Sequence, residues 1–403
     1  MQDVERPSVG FSVGFSVVLA VVVIGVLVAA SGAAPPDDSL PTSPLDPALR
    51  TELLSRADQL PRLRSLLVSV DNQLVEEHYY HGASSKRVAN LKSASKSIIS
   101  LLVGIAIDLG YIAGVNQTIG DYFSEYFGDD ADFAKTRITV GQLLSMQSGL
   151  ETTSNRNYGR WVQSGNWIRH ILTRPMIDQP GGRRIYSTGN THLLSAILTE
   201  ASGMSTLEFG RRYLAEKLGF SLPGWLRDPQ GVYFGGNEMQ MTPRAMVSVG
   251  QLVLSCGTYA GTRVVSEAWI LASLKPRSRS ERSGREYGYG WWMRTLAGYQ
   301  AYYAWGYGGQ FIFVVPDLSL VVTTTSLPTP GEGRRAHLRS LYDLVEQQII
   351  PAVERKVETG HGPQGSTTST RPRQRLAGRM HRRPRRGRGG RIRLGSPAGP
   401  DRR

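Results

Sequence analysis

Ser93 and Lys96 stand three residues apart in Ser93-Ala-Ser-Lys96, at the head of the apolar run Ile98-Ile-Ser-Leu-Leu-Val103. A serine hydroxyl is a weak nucleophile until a neighbouring base takes its proton. If the run is a helix, residues three apart share a face, so Lys96 lies about one turn beyond Ser93 on the same side. A helix N-terminus also disfavours a protonated amine and stabilises developing negative charge. The chemistry these two residues could do is nucleophilic attack by a serine whose proton the amine takes. S-x-x-K is nevertheless a common tetrapeptide, and alone it fits an ordinary serine and a surface lysine equally well.

Other chemistries have weaker footing. One cysteine, Cys256, permits no intrachain disulfide and no Cys-based metal site. The seven histidines are scattered with no H-E-x-x-H, and His78 and His81 fall on opposite faces of a strand-like segment. We therefore expect no metal and no cofactor. The sequence has no Walker-type loop, no G-x-G-x-x-G after a strand and no G-x-S-x-G elbow.

The elements that must position Ser93 and Lys96 can be read in order. Leu66–Val70 and Gln73–Tyr80 around Asp71-Asn72 predict a hairpin. The run from Ser93 predicts a helix to about Gly110. Thr139-Val-Gly-Gln142 has the form of a capping box opening a short helix that stops at Gly149. Asn190 or Thr191 can cap a helix through Ala201, with Gly203 as its stop. Thr242-Pro243 and Ser266-Glu-Ala-Trp269 each open another. Residues 287–326 turn aromatic and β-branched, with Pro316-Asp317 as a turn between the last two strands. Arg335–Lys356 closes with an amphipathic helix. Strands at both ends with helices between predict an α+β fold, an antiparallel sheet with a mostly helical region inserted.

Three segments together resemble one family. Ser93-Ala-Ser-Lys96 is similar to the nucleophile motif of penicillin-recognising serine enzymes, Tyr186-Ser-Thr-Gly-Asn190 to their Y-x-N, and Ala304-Trp-Gly306 before Tyr307-Gly-Gly309 to their K-T-G or H-x-G. Ile138–Leu150, Gly235–Pro243 and Gly308–Pro316 resemble segments of the class C β-lactamase-like branch, which includes esterases and hydrolases of linear amides such as 6-aminohexanoate dimers. The resemblance spans roughly 60–350. It implies a β-lactamase/transpeptidase-like fold, with the antiparallel sheet flanked by helices and the site at the junction with a mostly helical subdomain. It also implies acyl transfer through Ser93, with Lys96 and Tyr186 sharing the proton transfers. Backbone N–H groups of Ser93 and Tyr307 would form the oxyanion hole. Thr188, Trp305, Gly306 and Gly308 would contact substrate, the glycines because backbone must approach it closely. Trp161, Trp167 and Trp291 are read as core.

Two departures bear on the substrate. Thr188 stands where Y-x-N enzymes have an amide, and Ala304 where many have a lysine that helps hold a β-lactam carboxylate. Both losses argue against efficient β-lactamase or D-Ala-D-Ala peptidase activity and favour an ester or linear amide whose recognition is more apolar; the partner expected is a small-molecule ester, amide or peptide-like substrate. The competing reading is a non-catalytic protein of the same fold that binds β-lactams or peptidoglycan.

The ends of the chain carry separate expectations. Phe11–Ala30 is uncharged and long enough to span a bilayer, and Ala29-Ala-Ser-Gly-Ala-Ala34 would suit signal cleavage. Residues 1–34 are thus read as a signal peptide or a membrane anchor, either of which exports the protein to the cell envelope or beyond. Residues 35–50 read as a Pro-rich linker and 51–358 as the hydrolase domain. Residues 371–403 contain thirteen Arg and one Asp, so this stretch carries +12 of the formal +14 and leaves the body nearly neutral. Residues 359–403 read as a disordered Arg-rich tail; no base-stacking module accompanies it, so no nucleic acid is expected as a partner.

Overall fold

Alternating apolar residues at both ends of the body build one sheet. Leu63–Val70 (β1) and Gln73–Tyr79 (β2) flank Asp71 and Asn72, whose φ angles of 55° and 63° form the two-residue turn that suits strand twist. Short strands follow at Ala89–Asn90 (β3), Gln240–Met241 (β4), Thr258–Tyr259 (β5) and Thr262–Arg263 (β6). The last six are Ser278–Arg279 (β7), Glu286–Tyr287 (β8), Trp292–Leu296 (β9), Tyr299–Gly306 (β10), Gln310–Val315 (β11) and Leu320–Ser326 (β12). This computed structural model describes residue 43 and residues 45–127 and 133–359. Eight of these strands form an antiparallel sheet in the order β2-β1-β12-β11-β10-β9-β8-β7. The two ends of the chain meet where β1 pairs with β12, from Leu63 opposite Ser326 to Val70 opposite Leu320.

Helices cover both faces, which is why β11 and β12 are buried along their whole length. Phe311, Phe313 and Val315 point into a core shared with Leu53 and Leu341 of the terminal helices. Ile312 and Val314 point the other way, toward Ile98 and Leu102 of the helix Ser95–Asp108 and Met246 and Val249 of the helix Pro243–Leu254. Each such side chain contributes about 1.5–3 kcal/mol when fully buried, so alternation along the strand fixes both layers at once. The C-terminal helix runs on from Arg334–Asp343 through a π segment, Leu344–Ile349, to Ile350–Thr359.

Several boundaries differ from expectation. The helix after the Thr139 capping box spans only Val140–Leu144; Ser145 is its C-cap, and the chain turns through Met146 at φ 63° well before Gly149. The helix expected from Asn190 or Thr191 spans Thr188–Ser202, with Ser187 at its N-cap and Gly203 ending it in the left-handed conformation. Pro47, inside the stretch read as linker, is the first residue of the helix Pro47–Asp58, whose N-cap Asp46 accepts from Ala48 and Leu49. The N-terminal apolar run, most of the linker and the tail from residue 360 lie outside the described residues. Among the described residues no helix is long and apolar enough to cross a membrane.

Candidate active site

Ser93 sits in a 3₁₀ turn, Lys92–Ala94, that leads into the helix Ser95–Asp108. The turn is entered through Lys92 at φ 50°, a conformation uncommon for a side-chain-bearing residue. Local bonds hold it there: Lys92 N donates to Asn90 Oδ1 (2.9 Å), and Lys92 Nζ lies 2.9 Å from Glu238 Oε1. Leu91 N donates to Met239 O at 2.8 Å. Behind the turn, Ser97 and Ser100 donate to the carbonyls of Gly290 and Tyr289 at 2.6 and 2.7 Å. These bonds anchor the apolar helix despite its buried hydroxyls.

Lys96 is 3% exposed. Its Nζ lies 3.1 Å from Ser93 Oγ, 2.6 Å from Gly236 O and 3.4 Å from Thr188 Oγ1. Burial lowers its pKa from the usual 10.5, against an opposing pull from the Tyr186 phenol. Gly236 can approach the amine because it has no side chain: a Cβ there would lie 2.6 Å from Thr188 Cγ2 and 3.2 Å from Lys96 Nζ. These three oxygens are neutral, and the Tyr186 phenol is a further hydrogen-bonding group beside the amine.

Tyr186 lies at the same point, with Lys96 Nζ 5.1 Å from the ring centroid. It stacks on Trp292 with centroids 6.3 Å apart, and its carbonyl accepts from Thr152 Oγ1 at 2.6 Å. Arg184 packs against the same rings, 5.2 Å from Tyr186 and 4.4 Å from Trp292. Thr188 is turned inward. Besides Lys96, its hydroxyl meets Ser154 Oγ at 2.9 Å, and its N–H donates to Ser154 Oγ at 2.8 Å. Gly189 N donates to Thr153 Oγ1 at 2.9 Å. The loop at 153–154 thus satisfies the first N–H groups of the helix Thr188–Ser202 and also supports the residue under the lysine. Asn190 does not take the place of the family's amide beside the lysine; its Oδ1 accepts from Ser148.

The third segment closes the site from the sheet. A Cβ on Gly306 would lie 2.0 Å from Leu91 O, so the end of β10 runs directly against the strand entering the nucleophile turn. Gly308, at φ 92°, faces Leu327 O at 2.8 Å in the same sense. Contacts within the protein are therefore enough to require glycine at both positions. Ala304 is wholly buried on the helical side. Trp305 lies on the opposite face, stacked on Phe311 with rings 3° from parallel. Tyr307 is 39% exposed, and the Arg334 guanidinium lies 4.5 Å from its ring centroid.

The residues that surround this site without having been singled out are Gly236, Ser154, Asn90, Glu238 and Arg184. Gly236 and Glu238 carried a sequence signal, as part of Gly235–Pro243. The others act across gaps such as the 148 residues between Asn90 and Glu238, where no local pattern exists.

The chain matches known proteins over most of its length. The family model described as Beta-lactamase matches residues 64–346. The chain is 27% identical over 350 residues to the 6-aminohexanoate-dimer hydrolase of Paenarthrobacter ureafaciens, covering 78% of this chain and 87% of that one. Among solved structures, EstCE1, a hydrolase with promiscuous acyltransferase activity, matches with TM-score 0.60 at 14% identity, covering 73% of this chain and 98% of that one. The octameric penicillin-binding protein homologue of Pyrococcus abyssi matches with TM-score 0.58 at 16% identity, covering 75% and 77%. At these identities the two structures establish the shared fold.

Proposed function

The chain belongs to the Beta-lactamase family, and on that premise we propose that it is a serine hydrolase cleaving a carboxylic ester or a linear amide through an acyl-enzyme on Ser93. The observation that carries this reading is the buried Lys96 amine 3.1 Å from Ser93 Oγ, with no carboxylate partner among the described residues. A neutral amine has two N–H donors and one lone pair. Gly236 O and either Thr188 Oγ1 or the Tyr186 phenol can take the two donors, which leaves the lone pair for the Ser93 hydroxyl. Lys96 would accept that proton as Ser93 Oγ attacks the carbonyl. The N–H groups of Ser93 and Tyr307 would receive the oxyanion, each such donor typically contributing ~3–4 kcal/mol to the transition state. Tyr186 would relay that proton from Lys96 to the leaving group, so that both groups end the step as they began it, and water would then release the acyl group by the reverse sequence.

Substrate preference follows from what the site lacks. Buried Ala304 offers no cation for a β-lactam carboxylate, and the Thr188 hydroxyl is engaged with Lys96 and Ser154. The relative from Paenarthrobacter ureafaciens, named for a linear amide, supports the same direction. The test is a panel of p-nitrophenyl butyrate, 6-aminohexanoate dimer and a chromogenic cephalosporin, assayed with the full chain and with Ser93→Ala. We expect turnover of the ester or the amide above that of the cephalosporin, reduced to background in the variant. Equal rates for the two proteins across the panel would sink the reading.

A further inference from the structure

A pocket of about 210 Å³ opens beside the site, lined among others by Arg64, Ser84, Arg87, Asn90, Ser326 and Leu327. That is well above the roughly 10–15 Å³ that a single water needs, so a carboxylate fits. No acidic side chain is among its lining residues. Arg62 lies just behind it, donating through Nη2 to Leu327 O at 3.1 Å. Arg64 Nη1 donates to Pro61 O and Leu63 O at 3.0 and 2.9 Å, and Arg87 Nη1 to Gly82 O at 3.4 Å. Among the described residues these three guanidiniums thus bond only backbone carbonyls, and the buried Nε of Arg62 has no partner. Guanidiniums ordinarily seek carboxylates in bidentate pairs; here three lie close enough to repel one another, with no carboxylate paired to them among the described residues.

The uncompensated charge is felt nearby. Burial, Arg87 and Arg62 lower the pKa of Arg64. Burial, Arg62 and Arg64 hold His337 down at about 4. His337 is therefore neutral, and its Nε2 lies 2.9 Å from Ser326 Oγ on the pocket wall. An anion in the pocket would relieve this repulsion, and the Ser326 hydroxyl can donate to it in the tautomer where His337 Nε2 carries the ring proton.

Two of the residues lining the pocket, Asn90 and Leu327, touch the elements that carry the reaction centre. Asn90 is three residues before Ser93, so their Cα atoms lie within about 11 Å of each other. Its Oδ1 holds the N–H of Lys92 in the nucleophile turn. Leu327, on the far wall, is the residue against which Gly308 packs. We propose that this pocket receives the carboxylate of a linear substrate whose scissile carbonyl lies at Ser93, so that the enzyme selects acid-bearing esters or amides. This rests on the serine hydrolase reading.

The experiment compares mono-p-nitrophenyl adipate with p-nitrophenyl hexanoate, using the full chain and the variants Arg87→Gln and Arg87→Glu. Arg87 is exposed and its single bond to Gly82 is long, so folding should survive, and thermal melting checks this. A charged hydrogen-bonded pair typically changes binding by about 10- to 100-fold. The ratio of kcat/KM for the adipate ester to that for the hexanoate ester should fall at least about tenfold in Arg87→Gln and further in Arg87→Glu. Calorimetric binding of free adipate should weaken in parallel. An unchanged ratio in both variants, with wild type active on hexanoate, overturns the pocket assignment and leaves the hydrolase reading intact. No turnover of either ester, together with adipate binding lost in Arg87→Glu, overturns the hydrolase reading and leaves an anion site. Inorganic phosphate that binds through Arg87 without competing with the adipate ester would mark an effector site and also overturn the proposal.

Discussion

At the scale of single residues, the environment of Lys96 is what makes Ser93 chemically interesting. An amine in water is protonated at neutral pH and cannot act as a base. Burial among neutral oxygens disfavours the charged form, and its pKa falls below 10.5. The neutral amine exists above that pKa, so kcat/KM should rise with pH through it, on a limb lying below the ordinary lysine range. Lys96→Met should lower kcat by about 10²- to 10⁴-fold, the usual contribution of a positioned acid–base group, and remove that limb. A pH–rate profile on both proteins checks this; a variant of near-normal rate, or a rate that declines as Lys96 deprotonates, would argue for another base. The sequence places Ser93 and Lys96 one helical turn apart, and the structure keeps that spacing. It could not show that the two polar partners, Gly236 and Thr188, come from positions 140 and 92 residues away from Lys96.

At the scale of elements, the site depends on β10 running against the nucleophile turn. The contact between Gly306 and Leu91 O leaves no room for a methyl group. Gly306→Ala should therefore cost about 1–3 kcal/mol of stability, the usual range for overpacking, and should lower kcat by displacing Ser93. Gly159→Ala, which has open space around it, is the control. Urea unfolding and turnover measured on both variants decide it; an unchanged Gly306→Ala would mean that the strand end is not a positioning element. Elements stabilised by their own residues were legible in the sequence. The Asp71-Asn72 hairpin, the Thr139–Gln142 capping box and the Thr242 and Ser266 caps each form as read. The start of the helix at Thr188 was not, because its first N–H groups bond Thr153 and Ser154, residues 36 and 34 positions away. A local search for a cap inside that helix therefore lands on Asn190 or Thr191.

At the scale of the whole molecule, the antiparallel sheet joins the first and last parts of the body, and the helical region between them brings Tyr186 and Gly236 to Lys96. That plan was visible in the order of strand-like and helical segments, because alternation and helical periodicity are properties of each segment alone. The strand order, the two cores on either side of β11 and the unpaired arginines beside Leu327 were not visible, since each is a pairing of distant segments. The central claim is that one hydroxyl, that of Ser93, becomes acylated. It is tested most directly by treating the full chain with a fluorophosphonate, which forms a stable adduct with an activated serine, and mapping the label by peptide mass spectrometry. The account predicts a single adduct on the peptide containing Ser93, with esterase activity lost in proportion to labelling. Complete loss of activity with the label on a different residue, or full labelling of Ser93 with activity retained, would contradict it.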